Sequence, residues 1–148
     1  MTGADIVAEA RCWLGVPFAH QGRSHAGTDC GGLVGGVALA LGIVPADWWA
    51  RSFDPAHGGY GRQPSNGQLR AICESFMRCI EIDDALPGDV ALMRFRAEPQ
   101  HLGILADYRH GGASIVHALA SAGRVCEHRL SPLWRERICA AYRMPGVA

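Results

Sequence analysis

The run Thr28-Asp29-Cys30-Gly31-Gly32-Leu33-Val34-Gly35-Gly36-Val37-Ala38-Leu39-Ala40-Leu41-Gly42 decides how this chain is read. A glycine-rich loop delivers a cysteine to the start of an apolar segment with the character of a helix, and Asp29 stands where an N-cap belongs. A thiol in that place faces unpaired backbone N–H groups and the positive end of the helix dipole, which favours thiolate over thiol. The expectation is therefore a Cys30 pKa below the ordinary value of about 8.5. A nucleophile of this kind needs a base and a group that orients the base. The second half of the chain offers His101 and His117.

Outward from Cys30, Thr2 and Asp5 suit a capping box for a first helix, with Ile6, Ala10, Trp13 and Leu14 on one stripe and Gly15 and Pro17 as its stop. Residues 15–29 form a loop dense in turn formers. After the Cys30 helix, Gly42 and Pro45 supply a stop, and a long irregular passage follows at 54–64. Ser65 is placed to cap a further helix burying Leu69, Ile72, Cys73, Phe76 and Ile80. From Leu86-Pro87-Gly88-Asp89 onward the period is two: strands are predicted over 90–95, 101–107, 113–120, 124–130 and 138–143, with a helical turn at 132–135. Helices first and antiparallel strands after them predict an α+β class over residues 1–148 as one domain, with about five or six strands.

Hairpin geometry links the two histidines. A turn centred on Arg109 would set His101 directly opposite His117, with Cβ atoms about 5 Å apart on one face. His117 could then fix the tautomer of His101, the role of the orienting member in a nucleophile–base arrangement. His20, His25, His57, His110 and His128 are also available, and spacing alone excludes neither His20 nor His57 as a partner.

The bulk numbers exclude more than they assign. At 148 residues, with 14 basic against 14 acidic side chains, the chain has no net field to recruit nucleic acid or an anionic membrane. Its late arginines (Arg124, Arg129, Arg135, Arg137, Arg143) read as a solvated face. The longest uncharged run, 30–46, is shorter than the roughly 20 residues of a membrane span. The acidic N-terminus lacks the pattern of a signal peptide, so synthesis and folding in the cytoplasm are expected. The six cysteines form no CxxC pair, and neither a metal nor any other cofactor is expected; Cys12, Cys73, Cys79, Cys126 and Cys139 read as small buried apolar residues.

Five motifs in order carry a family resemblance. Pro17-Phe18-Ala19-His20-Gln21-Gly22, Asp29-Cys30-Gly31-Gly32-Leu33-Val34, Leu86-Pro87-Gly88-Asp89-Val90, His101-Leu102-Gly103-Ile104 and Ile115-Val116-His117-Ala118 resemble the NlpC-type cell-wall cysteine peptidases. The His20-Gln21 pair and the ending from Val125 to Gly146 resemble the subgroup carried by tailed phages and gene transfer agents. The resemblance implies a papain-like fold and hydrolysis of an amide bond in peptidoglycan stem peptides, typically between γ-D-glutamyl and a diamino acid. It implies Cys30 as nucleophile, His101 as base and His117 as third member, with Phe18, His20, Asp29 and Gly31 near substrate or oxyanion. It also implies phage-like tail or baseplate proteins as partners, and a particle tail acting on the periplasmic wall as the place of action. Two positions depart from the family pattern: Phe18 stands where a tyrosine is usual, and Gly31 where serine is common. A catalytically weak tail-tip subunit, and an amidase or acyltransferase of the same fold, are the competing expectations, with a zinc-binding module behind them.

Overall fold

In the computed structural model, which describes residues 1–48, 67–95 and 99–148, helices come first and an antiparallel sheet follows. Trp49, the 54–64 passage with His57, and Ser65 lie outside those residues. Thr2 opens α1 (Gly3–Arg11), and the Asp5 carboxylate accepts the Thr2 N–H at 2.7 Å, the returning half of the expected capping box. The helix stops at Arg11, short of the expected Gly15–Pro17 stop, and buries Ile6, Val7 and Ala10. Trp13 is buried beyond the helix end, whereas Leu14, expected on the same stripe, is exposed.

Within the 15–29 loop, β1 (Arg23–Ser24) and β2 (Gly27–Thr28) form a small hairpin that feeds α2 (Cys30–Ala40). Residues 30–38 of α2 are buried without a break, so this apolar helix is the centre of the molecule and not a surface element. Trp48 is only 6% exposed and meets Phe76 edge-to-face at 5.0 Å, which makes it a core residue. Among the residues described after Trp48, the next helix is α3 (Gln68–Phe76), whose cap position is held by Gly67 in the left-handed conformation and not by the expected Ser65. It buries Leu69, Ile72 and Cys73, but Ile80 belongs to β3 (Arg78–Ile80), an edge strand the period did not reveal.

The remaining strands follow the expected order: β4 (Val90–Arg94), β5 (Pro99–Asp107), β6 (Ala113–Leu119), β7 (Arg124–Arg129) and β8 (Ile138–Arg143), with a helical turn α4 (Pro132–Arg135) before β8. They form a six-stranded antiparallel sheet in the order β3-β8-β4-β5-β6-β7. One face carries Leu92, Leu102, Ile104, Val116 and Tyr142 into a core shared with Ile6, Leu33, Val37 and Leu69 of the helices. The other face buries Ala91, Met93, Leu105 and Ile115 beneath Trp134 of α4. Alternation along β5 therefore sends even-numbered residues to the helices and odd-numbered ones, His101 included, to the opposite face.

Two expectations about side chains need correction. Of the five cysteines read as buried, Cys73 is buried, Cys126 and Cys139 are half-buried, and Cys12 and Cys79 are exposed; all are free thiols. The late arginines do not share a face. Arg143 grips the buried Asp89 carboxylate through Nε and Nη2 at 2.8 and 2.7 Å, while Arg129 donates to the Gly111 carbonyl. No helix among the described residues is long and apolar enough to cross a membrane.

Candidate active site

The site begins with how tightly the loop is bound to the first turn of α2. Asp29 caps the helix as expected: Oδ1 accepts the Gly32 N–H at 2.8 Å, and Oδ2 accepts the Gln21 N–H at 2.8 Å. One carboxylate thus closes the helix and holds the loop. Gly32 permits the approach, since a Cβ there would lie 2.0 Å from the Gly22 carbonyl oxygen. Cys30 follows at the first helical position and is 8% exposed. The β5–β6 ladder runs from Asp107↔Ala113 to Ile104↔Val116. Leu102 lies past its end, and its backbone N–H is near enough to the Cys30 sulfur to favour the thiolate. The thiol is therefore seated on the peptide immediately after His101.

The two predicted histidines meet, by a register different from the expected one. The hairpin centres on His110, not Arg109, so Ile104 pairs with Val116, and the same register continued sets His117 across from Gly103. The shift relative to the predicted pairing is two residues, which preserves the face where a single-residue slip would have reversed it. His101 and His117 become diagonal neighbours, with His101 Nε2 and His117 Nδ1 2.6 Å apart. Gly103 leaves the space: a Cβ there would lie 2.4 Å from Ile115 Cδ1 and 3.3 Å from His117 Cβ. Both ladders of β4 shift register beside Met93, the residue paired with His101, an irregularity common next to functional side chains.

A third imidazole extends the pair. His117 Nε2 lies 2.8 Å from His128 Nε2, and His128 Nδ1 lies 2.9 Å from the Arg129 carbonyl oxygen. Trp134 packs its indole against His117 and His128 at centroid distances of 5.1 and 5.0 Å, and Phe95 lies 5.0 Å from the His101 ring. Sequence reasoning noted His128 without a role and missed Phe95 and Trp134. The β6–β7 register held the signal: His117 pairs with Cys126, which places His128 one diagonal step away on the same face.

Electrostatics overturn one expectation. Burial pushes the Cys30 thiol up to about 12, and the neighbouring Asp29 carboxylate adds to the rise. The amides of Leu102, Gly31 and Cys30 oppose it without prevailing. The helix-end field is present, but desolvation outweighs it, and the N-cap sets a negative charge beside the sulfur. Burial also drives His101, 5% exposed, well below its ordinary range, with His117 and His128 contributing. His117 is lowered to about 3 by burial and then by His128. At rest the Cys30 thiol and the imidazoles of His101 and His117 are therefore neutral, and there is no standing thiolate.

The other predicted positions fall around this centre. Phe18 is half-buried, its N–H donating to the Gly123 carbonyl at 2.9 Å, and His20 is exposed on the turn that Gln21 continues at φ +58°. Gly31 is buried, with its amide directed at the sulfur. Among the described residues no group of three His, Cys, Asp or Glu could hold a metal ion; the imidazole nitrogens of His101, His117 and His128 face one another.

Solved structures of similar shape share this arrangement of elements. The NlpC/p60 domain of the peptidoglycan hydrolase SagA is 23% identical, with a TM-score of 0.65, over 97% of this chain and 100% of that one. The P60 domain of an antigen from M. avium subspecies paratuberculosis is 21% identical, with a TM-score of 0.55, over 95% and 93%. An NlpC/P60 family protein from Bacillus cereus ATCC 10987 is 18% identical, with a TM-score of 0.67, over 97% of this chain but 40% of its own. These likenesses bear out the papain-like α+β fold, helices packed on a six-stranded antiparallel sheet. No curated protein matches the sequence. The sequence model of the NlpC/P60 family matches residues 15–143, nearly the whole chain and all five ordered motifs from Pro17 to Ala118, and the chain belongs to that family.

Proposed function

We propose that this chain is a cysteine peptidase that hydrolyses an amide bond in the stem peptides of peptidoglycan, with Cys30 as nucleophile, His101 as base and His117 as the group orienting it. One observation carries the reading: a thiol at a helix N-terminus rests on the amide after His101, while His101 is bonded to His117 at 2.6 Å. His101 takes the thiol proton as sulfur attacks the carbonyl carbon. The backbone N–H of Cys30 donates to the oxyanion as the tetrahedral centre forms. Collapse expels the amine, which receives the proton from His101, and water then releases the acyl group from sulfur. Phe18 contributes a ring without the hydroxyl donor of the usual tyrosine, which lowers the rate and leaves the steps unchanged.

The motif order supports the bond between γ-D-glutamyl and a diamino acid as the target. The likeness of the ending to phage and gene-transfer-agent sequences supports a place in a phage-like tail or baseplate that opens the periplasmic wall for DNA delivery. The test is incubation of the protein and of Cys30→Ala with purified muropeptides, followed by separation of the products. Cleavage by the former alone supports the peptidase. No cleavage by either between pH 6 and 9 replaces it with a structural tail-tip subunit.

A further inference from the structure

We infer that His128 is a positioning residue: through His117 it sets which nitrogen of His101 is bare, and it anchors that choice to the Arg129 carbonyl. The Arg129 carbonyl oxygen can only accept, and it fixes the proton order of the rings from that end. His128 Nδ1, 2.9 Å from it, must carry the proton. With one proton per ring, His128 Nε2 is then bare and accepts from His117 Nε2–H at 2.8 Å. His117 Nδ1 is consequently bare and accepts from His101 Nε2–H at 2.6 Å. His101 Nδ1 is left with its lone pair, the form that takes a proton from a thiol.

Without His128, His117 Nε2 has no acceptor at this point, and the tautomer with the proton on Nδ1 becomes competitive. That tautomer obliges His101 Nε2 to accept and moves the His101 proton to Nδ1, where it blocks the base. The pair His101–His117 alone fits either polarity; the third ring and the fixed carbonyl remove the ambiguity. Geometry supports a held chain and not a chance contact. His117 is fully buried, and Trp134 packs on the middle ring and on the one nearest the carbonyl, at 5.1 Å from His117 and 5.0 Å from His128.

Only the kinetic arm of the test rests on the peptidase reading. Nitrogen NMR of the Cys30→Ala protein with labelled histidine reads the tautomers directly, with no turnover required. The expected spectrum has bare Nδ1 on His101 and His117, and protonated Nδ1 on His128. A protonated Nδ1 on His101 overturns the inference, whatever the protein cleaves. In the muropeptide assay, His128→Gln keeps an acceptor and is expected to retain kcat within about threefold. His128→Ala is expected to lose about tenfold in kcat at constant KM, the scale of one neutral hydrogen-bond preference. His128→Lys, which can only donate, should lose more than His128→Ala. Wild-type kcat in His128→Lys also overturns the inference. Absence of cleavage by the wild type removes the peptidase reading and leaves the spectrum to decide the tautomers.

Discussion

Lowering the pH from 7 to 5 should cost this protein stability through two particular side chains. His101 and His117 are 5% and 0% exposed, and burial holds the first well below its ordinary range and the second at about 3. Their folded pKa values lie below the unfolded value of about 6.5, so the unfolded chain binds more protons. The stability they contribute is complete above pH 6.5 and is lost as the pH falls toward the folded values. At pH 5 an unfolded histidine is almost wholly protonated, and keeping one neutral costs about 2 kcal/mol more than at pH 7. His117 alone therefore accounts for a loss of about 2 kcal/mol, a sizeable share of the roughly 5–15 kcal/mol of an ordinary domain, and His101, shifted in the same direction, adds to it. Carboxylates do not obscure the window. Glu127, held low by Arg11, and Asp5, held low by Thr2, gain protons in the unfolded chain around pH 4.5 and 3.8. Urea unfolding at pH 7, 6 and 5 measures the slope, and His117→Asn should reduce it. Equal stability of the wild type at pH 7 and pH 5 would refute the claim that these rings are buried and neutral.

The thiol chemistry gives a second check: at pH 8 a small alkylating reagent should modify the exposed Cys12 and Cys79 well before Cys30, which burial keeps protonated. Asp29→Asn removes the charge beside the sulfur, so Cys30 should alkylate faster than in the wild type; an unchanged rate counts against the Asp29 contribution. Arg143→Ala leaves the Asp89 carboxylate buried without its two-pronged partner, and a loss of about 3 kcal/mol in urea unfolding is expected. Gly32→Ala forces a methyl group against the Gly22 carbonyl and should destabilise the protein by at least about 1 kcal/mol, because the obstacle is backbone and cannot rotate away.

The sequence by itself determined what local chemistry controls. Asp29 was legible as a cap because a short carboxylate before an apolar run has one good use, and the strands β4 to β8 were legible because their period is two. That His101 and His117 share a face also followed, since a two-residue error in register leaves a face unchanged. Tertiary structure decided the quantities that depend on what surrounds a residue. The Cys30 thiol was read from its helix end alone, but its protonation is set by the core that removes water from it. The edge strand β3 was hidden because three residues carry too little period to be seen. His128 gained a part only when the β6–β7 register fixed its distance from His117, for a hydrogen bond between strands depends on pairing, which no single strand encodes.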